Sequence, residues 1–221
     1  MNTKYLSIVF IAAATILSSC KNNDNVFPKV VSSFFSVVNA SADTLNFFLN
    51  GSRQNNLSNL YPDGTTGYLA VPAGMQNYQF KKAGGFAVLF SVPLNLKDST
   101  NNSLFVTGET ANDAFFIADN IDTLTNFSTV RFVNASPDAG NLTVSVGDTV
   151  SFKTMAFKSS SGFLPVNSGT KEIKVFLAGA TTPKIDTVVT MQSSRAYTVF
   201  SKGLLNGKGN SVFDVGLILS F

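Results

Sequence analysis

Beyond the first twenty residues the chain is built from short apolar runs that alternate with polar positions and stop at turn residues. Ile173, Val175 and Leu177 interleave with Glu172, Lys174 and Phe176, and Phe213, Val215, Leu217, Leu219 and Phe221 alternate over nine residues. A period of two puts successive side chains on opposite faces of a strand, so each run predicts a strand with one buried face. Asn50-Gly51, Pro62-Asp63-Gly64, Ala83-Gly84-Gly85, Gly147-Asp148 and Asn206-Gly207 supply the turns between runs. No sustained helical period follows Cys20.

The pattern occurs twice. Phe35-Ser36-Val37-Val38-Asn39-Ala40-Ser41-Ala42-Asp43 returns as Val130-Arg131-Phe132-Val133-Asn134-Ala135-Ser136-Pro137-Asp138, 95 residues later. In the same register residues 67–74 match 162–169, and residues 104–108 match 199–203. Roughly seven strands per copy, with turns about every 8–12 residues, predict an all-β chain of two tandem immunoglobulin-like antiparallel β-sandwich domains. They span residues 30–121 and 124–221. The disulfide and core Trp of antibody domains are absent, so the likeness is one of architecture and size.

The N-terminus follows a different rule. Lys4 precedes an apolar stretch over residues 5–17, too short for a membrane-spanning helix of about 20 residues but fitting a secretory signal. Leu17-Ser18-Ser19-Cys20 resembles the lipobox of bacterial lipoproteins, which implies removal of residues 1–19 and lipidation of Cys20. Residues 20–29 then read as the lipidated cysteine and a polar tether. Lys21-Asn22-Asn23-Asp24-Asn25 is similar to the polar stretch that exports Bacteroidetes-type lipoproteins to the surface. The implied location is the bacterial cell envelope, anchored by lipid at the outer membrane, on its periplasmic face or at the surface.

Composition narrows the chemistry. Sixteen basic residues stand against 13 acidic ones, without the clustered positive charge of a nucleic-acid binder. Histidine is absent and Cys20 is the one cysteine, which removes the commonest general base, the thiol nucleophile and ordinary zinc ligation. Glu109 and Glu172 are the only glutamates, and the aspartates lie mostly in turns. No catalytic residue, metal site or cofactor is therefore assigned. The expected function is a lipid-anchored, non-enzymatic binding, adhesion or structural module with an envelope glycan or protein as partner. The alternative is an extracytoplasmic enzyme or enzyme accessory, Asp- or metal-dependent and glycan-directed.

Three groups of residues are candidates for contact or modification. Tyr61, Tyr68 and Tyr78 cluster around a turn-rich stretch of the first copy as a candidate platform for stacking, although Tyr68 matches Phe163 and reads as core. Tyr61, in a loop expected to be missing from the second copy, is the candidate ligand contact. Asp-Thr-apolar sequences at Thr44, Thr123, Thr149 and Thr187, with Asp98-Ser99-Thr100 as a near match at Ser99, resemble the O-glycosylation sequon of exported Bacteroidetes proteins. The same sequences also mark turns entering strands. In the repeated motif, Asn134 is expected to take a left-handed turn conformation, Pro137 to set the turn and Asp138 to accept backbone N–H groups. Ligation of calcium or a sugar by Asn39/Asp43 and Asn134/Asp138 is the competing account, and one carboxylate per loop is few for calcium.

The block Val133-Asn134-Ala135-Ser136-Pro137-Asp138-Ala139 resembles the signature of a bacterial family, domain of unknown function 4397. Val71-Pro72-Ala73-Gly74 and Tyr197-Thr198-Val199-Phe200 match its later elements, while Ala42 and Asn102 depart from it in the first copy. The resemblance implies a secreted or lipid-anchored protein and brings no catalytic residues.

Overall fold

A computed structural model describes residues 31–121 and 126–220. Cys20, the tether and Thr123 lie outside the described residues. The first copy contributes β1 (Ser32–Asn39), β2 (Leu45–Leu49), β3 (Ser52–Arg53), β4 (Leu69–Pro72), β5 (Gly74–Lys82), β6 (Phe90–Leu96), β7 (Asn101–Val106) and β8 (Ala114–Ala118). The second contributes β9 (Ser128–Asn134), β10 (Leu142–Val146), β11 (Val150–Met155), β12 (Leu164–Val166), β13 (Gly169–Leu177), β14 (Ile185–Met191), β15 (Ala196–Lys202) and β16 (Asp214–Leu219). Each copy is a sandwich of two four-stranded sheets. Their orders are β4-β1-β7-β8 and β3-β2-β5-β6, repeated as β12-β9-β15-β16 and β11-β10-β13-β14.

The tandem sandwiches agree with the sequence pattern; the connectivity adds to it. This order differs from the ABED and CFG sheets of immunoglobulin constant domains. Among otherwise antiparallel pairs, β1 lies parallel to β7 and β9 parallel to β15. A parallel pair needs a long crossover, which the other sheet of each sandwich provides. These central strands are covered on both faces over most of their length, so they show no simple alternation, and Ser36, Ser103, Arg131 and Thr198 are buried in them beside the apolar side chains.

Each sandwich has its own core. In the first copy aromatic rings fill it: Phe35 lies 4.6 Å from Tyr78, and Phe80 stacks on Phe90 at 4.8 Å. The second is mostly aliphatic, with Val130, Leu142, Val144, Ile173 and Val175 fully buried around Phe132. A third cluster joins the copies. Val38, Ala40, Phe105 and Phe115 of the first pack against Val133, Ala135, Phe200 and Ile218 of the second. Phe105 and Phe200 meet edge to face at 5.8 Å.

This junction corrects the expected single buried face of the C-terminal strand. Val215 and Leu217 pack on the core of the second copy, as the alternation implied, but Gly216, Ile218 and Ser220 are buried on the opposite face. Gly216 has a steric reason to lack a side chain. A Cβ there would sit 2.3 Å from Cζ of Phe200, the ring that reaches across to Phe105.

Beside the apolar cluster lies a buried ion pair. The Arg131 guanidinium donates to Asp119 at 2.5 Å, with side-chain exposures of 2% and 0%. The Asp119 carboxylate also accepts from Tyr68 Oη at 2.7 Å and Ser103 Oγ at 2.6 Å. Arg131 Nε donates to Thr198 Oγ1 at 2.8 Å, and Thr198 shares a hydrogen bond with Ser220 at 2.6 Å. The Phe163 ring covers the guanidinium, its centroid 4.8 Å from Cζ. Tyr68 is therefore half-buried at the junction rather than in the core. Burial, then the neighbouring Asp119 charge, push its phenol pKa well up.

Two outcomes are expected in thermal melts. Arg131→Met leaves a buried carboxylate without its cation and costs about 3–5 kcal/mol, whereas the double variant Arg131→Met/Asp119→Leu recovers most of that loss. Equal instability of the single and double variants refutes this account of the pair. Tyr78 is fully buried, and its hydroxyl has no hydrogen-bond partner among the described residues. Burial pushes its pKa up to about 12 from an ordinary value near 10. The folded state thus favours the neutral phenol, and this contribution, complete below about pH 10, is lost as pH rises toward 12. Tyr78→Phe is expected to raise stability by about 1 kcal/mol at neutral pH. It should also reduce the alkaline loss, read from melting temperatures across pH 8–12.

Candidate functional site

The two copies differ most where the chain leaves the edge of the first sandwich. In the second copy β11 runs for six residues, while its counterpart β3 stops after two. The chain then makes an excursion over residues 54–59. Asn55 pins it to the sheet: its Oδ1 accepts the Phe47 N–H at 3.0 Å, and its Nδ2 donates to Asn46 Oδ1 at 3.0 Å and Ser58 O at 2.9 Å. Arg53 ties the far side, donating through Nη2 to Asn59 Oδ1 at 3.0 Å and Ser58 O at 3.2 Å. The excursion bounds a groove of about 290 Å³ that reaches Tyr61, Thr65, Thr66 and Leu69. Leu57 is fully exposed on its rim and Tyr61 is 60% exposed.

Tyr61 thus lies at a surface groove, as a contact residue must, but the three tyrosines form no platform. Tyr78 is in the core and Tyr68 is at the junction. Nor is the turn at Tyr61 peculiar to the first copy. Asp63 (φ 66°) and Lys158 (φ 65°) occupy the same left-handed position. Their N–H groups donate to Asn39 O at 2.9 Å and Asn134 O at 2.8 Å respectively. What the second copy lacks is the excursion over 54–59. The run of Asn, Gln and Ser there is visible in the sequence, but its departure from strand geometry depends on Arg53 and Asn55 finding their partners.

The motif asparagines are structural pins. Asn39 Nδ2 donates to Asp43 O at 2.7 Å and Leu60 O at 2.9 Å, while its Oδ1 accepts from Ser41 N and Ser41 Oγ. Asn134 repeats this with Gly140 O, Met155 O, Ser136 N and Ser201 Oγ. Both side chains are completely buried. Neither residue has a positive φ, so the expected left-handed role is replaced by bracing of the motif loop against the segment at Leu60 or Met155. Their carboxamide oxygens face hydrogen-bond donors, an arrangement opposite to that of a cation ligand. Pro137 and Asp138 do form a turn, and the Asp138 carboxylate accepts the Leu205 N–H at 3.0 and 3.1 Å. Asp43 instead pairs with Lys82 at 3.2 Å, and Lys82 also reaches Glu109 at 2.8 Å. Among the described residues no three His, Cys, Asp or Glu side chains group as a metal site would require.

Of the Asp-Thr positions, Ser99 and Thr149 are exposed in turns, while Thr44 and Thr187 are half-buried at or in strands. They are scattered over the body and form no common site.

Asn134→Ala removes four buried hydrogen bonds and is expected to destabilise the protein by about 3 kcal/mol, with Asn39→Ala close behind. Asp138→Ala, whose carboxylate is exposed, should cost under about 1 kcal/mol. Chemical denaturation measures all three, and a neutral Asn134→Ala contradicts the pinning role.

No curated protein matches the chain. The model of a family described as a domain of unknown function, DUF4397, matches it twice, over residues 33–126 and 128–214. The two matches fall on the two sandwiches, each with its buried motif asparagine at the end of its first strand. The chain belongs to the DUF4397 family and carries two copies of its domain.

Proposed function

We propose that this protein is a lipid-anchored, non-enzymatic binding module of the bacterial cell envelope, held at the outer membrane through Cys20. The observation that carries the anchoring is the sequence Leu17-Ser18-Ser19-Cys20 directly after a short apolar run. A single acyl chain gives only reversible membrane attachment, and stable anchoring requires more than one. The lipobox resemblance implies several on one cysteine. Binding rather than catalysis is supported by how the polar side chains are engaged. Asp119, Arg131, Asn39 and Asn134 are all buried and bonded within the protein. Asn56, Ser58 and Tyr61, by contrast, present exposed polar groups along one groove. Among the described residues, Ser99 and Thr149 are the most open of the proposed O-glycosylation positions.

Expression in a bacterial host fed an alkyne fatty acid tests the anchor. The native chain is expected to take up the label and partition into detergent, while Cys20→Ser remains unlabelled and soluble. Equal membrane retention of an unlabelled Cys20→Ser protein overturns the proposal.

A further inference from the structure

We infer that the groove beside Tyr61 takes a neutral, hydroxyl-rich ligand, the end or a short stretch of an uncharged saccharide chain. This rests on the binding-module reading above. The first argument is electrostatic. The lining is carboxamide, hydroxyl and aliphatic throughout, with the Tyr61 phenol as its one ionisable group. The nearby cation, Arg53, is not in the lining, and its Nε and Nη2 are taken up by Asn55, Ser58 and Asn59. An acidic polymer would find no counter-charge there, and a cationic one no carboxylate.

The second argument is the division of labour among the polar groups. Asn55 and Asn59 are engaged in holding the loop to β2 and β3, as described above. The Asn56 carboxamide and the Ser58 and Tyr61 hydroxyls have no protein partner among the described residues. They therefore offer both donors and acceptors, which suits hydroxyl groups that act as both. The exposed Tyr61 ring adds a face for stacking on the apolar side of a sugar ring, a use suited to an aromatic with a polar tip. Leu60, 4% exposed, and Leu69 give the groove an apolar floor.

The third argument is preorganisation. The excursion is fixed by its own hydrogen bonds before any ligand arrives, which lowers the ordering cost of binding. A volume near 290 Å³ is at the lower end of small-molecule sites. Peptide capture by strand addition is disfavoured, because it needs a length of free strand and β3 is only two residues long.

The test is affinity electrophoresis of the full lipidated chain in detergent. Gels contain neutral polysaccharides (starch, a β-glucan, a mannan) or acidic ones (polygalacturonate, heparin), with a blank gel as reference. Retardation by at least one neutral polymer is expected, falling at least tenfold in apparent affinity in Tyr61→Ala and Asn56→Ala. Tyr61→Phe should retain most of it. Unchanged melting temperatures would show that the variants still fold, and both residues face solvent. Preference for acidic polymers, or retardation indifferent to both alanine variants, overturns the saccharide inference and leaves the binding module standing. Absence of retardation in every gel overturns the inference. If pull-down from the outer envelope with the same native chain then recovers no partner either, the binding-module reading falls with it.

Discussion

The contact between Arg131 and Asp119 determines how the two sandwiches of this chain are held. Burying either charge alone would cost several kcal/mol, and a pair recovers that only when the remaining lone pairs and protons are also satisfied. Here Asp119 receives three donors, from Tyr68, Ser103 and Arg131. The guanidinium is held by Thr198 and covered by Phe163, while its buried Nη2 has no hydrogen-bond partner among the described residues. The donors to Asp119 come from both copies, so the network closes only when the copies meet in one register. The apolar cluster around Phe105 and Phe200 supplies attraction without direction; the ion pair supplies the direction. Beyond the cluster, at the other end of the junction, Lys202 pairs with Asp63 and Lys158 donates to Asn112 O.

The junction also shows how a duplication becomes asymmetric. The position of Arg131 in the first copy is Ser36, and that of Asp119 in the second is Ser220; both are buried. Each copy thus carries half of the pair, and the matching half is a small hydroxyl. The apolar cluster diverges in the same way. Phe115, which stacks on Phe105 at 5.4 Å, pairs with it across the sheet where Gly216 pairs with Phe200. A phenylalanine at both positions would place two rings where Phe200 now lies. The copies have kept the motif asparagines, which brace each sandwich internally, and changed the residues that face one another.

Much of this architecture could be read from the chain. The offset of 95 residues recurs at the matched blocks because insertions and deletions fall in the loops between them, and beyond those blocks it changes, as between Asp119 and Ser220. The alternation in β13 survives because one of its faces is solvated. Where both faces are covered, the period loses its meaning, and β16 shows this. Gly216 and Ser220 look like the solvated side of an amphipathic strand, and Ile218 is an exception to it, until the other copy is placed against them. The motif marks the segment of the asparagine pins but suggests a left-handed turn, because one of the carbonyls each asparagine holds lies 21 residues away. Composition carries no signal for such partners. Likewise nothing in the spacing of Asp119 and Arg131, on either side of the joint between copies, distinguishes them from two surface charges.

The division between conserved brace and altered face bears on where recognition can reside. A groove that bonds a ligand must hold its own shape, and the sandwich edge alone does not provide that. In the second copy the chain continues as β11 and the edge stays straight. In the first copy Asn55 takes over the Phe47 N–H that a continuing strand would have used, and Arg53 closes the loop behind it. One substitution of partners therefore changes an edge strand into a preformed concavity at little cost in unsatisfied backbone. The second sandwich then acts as ballast for the first: by fixing its partner through the buried ion pair, it keeps the groove on a rigid body rather than on a module free to turn.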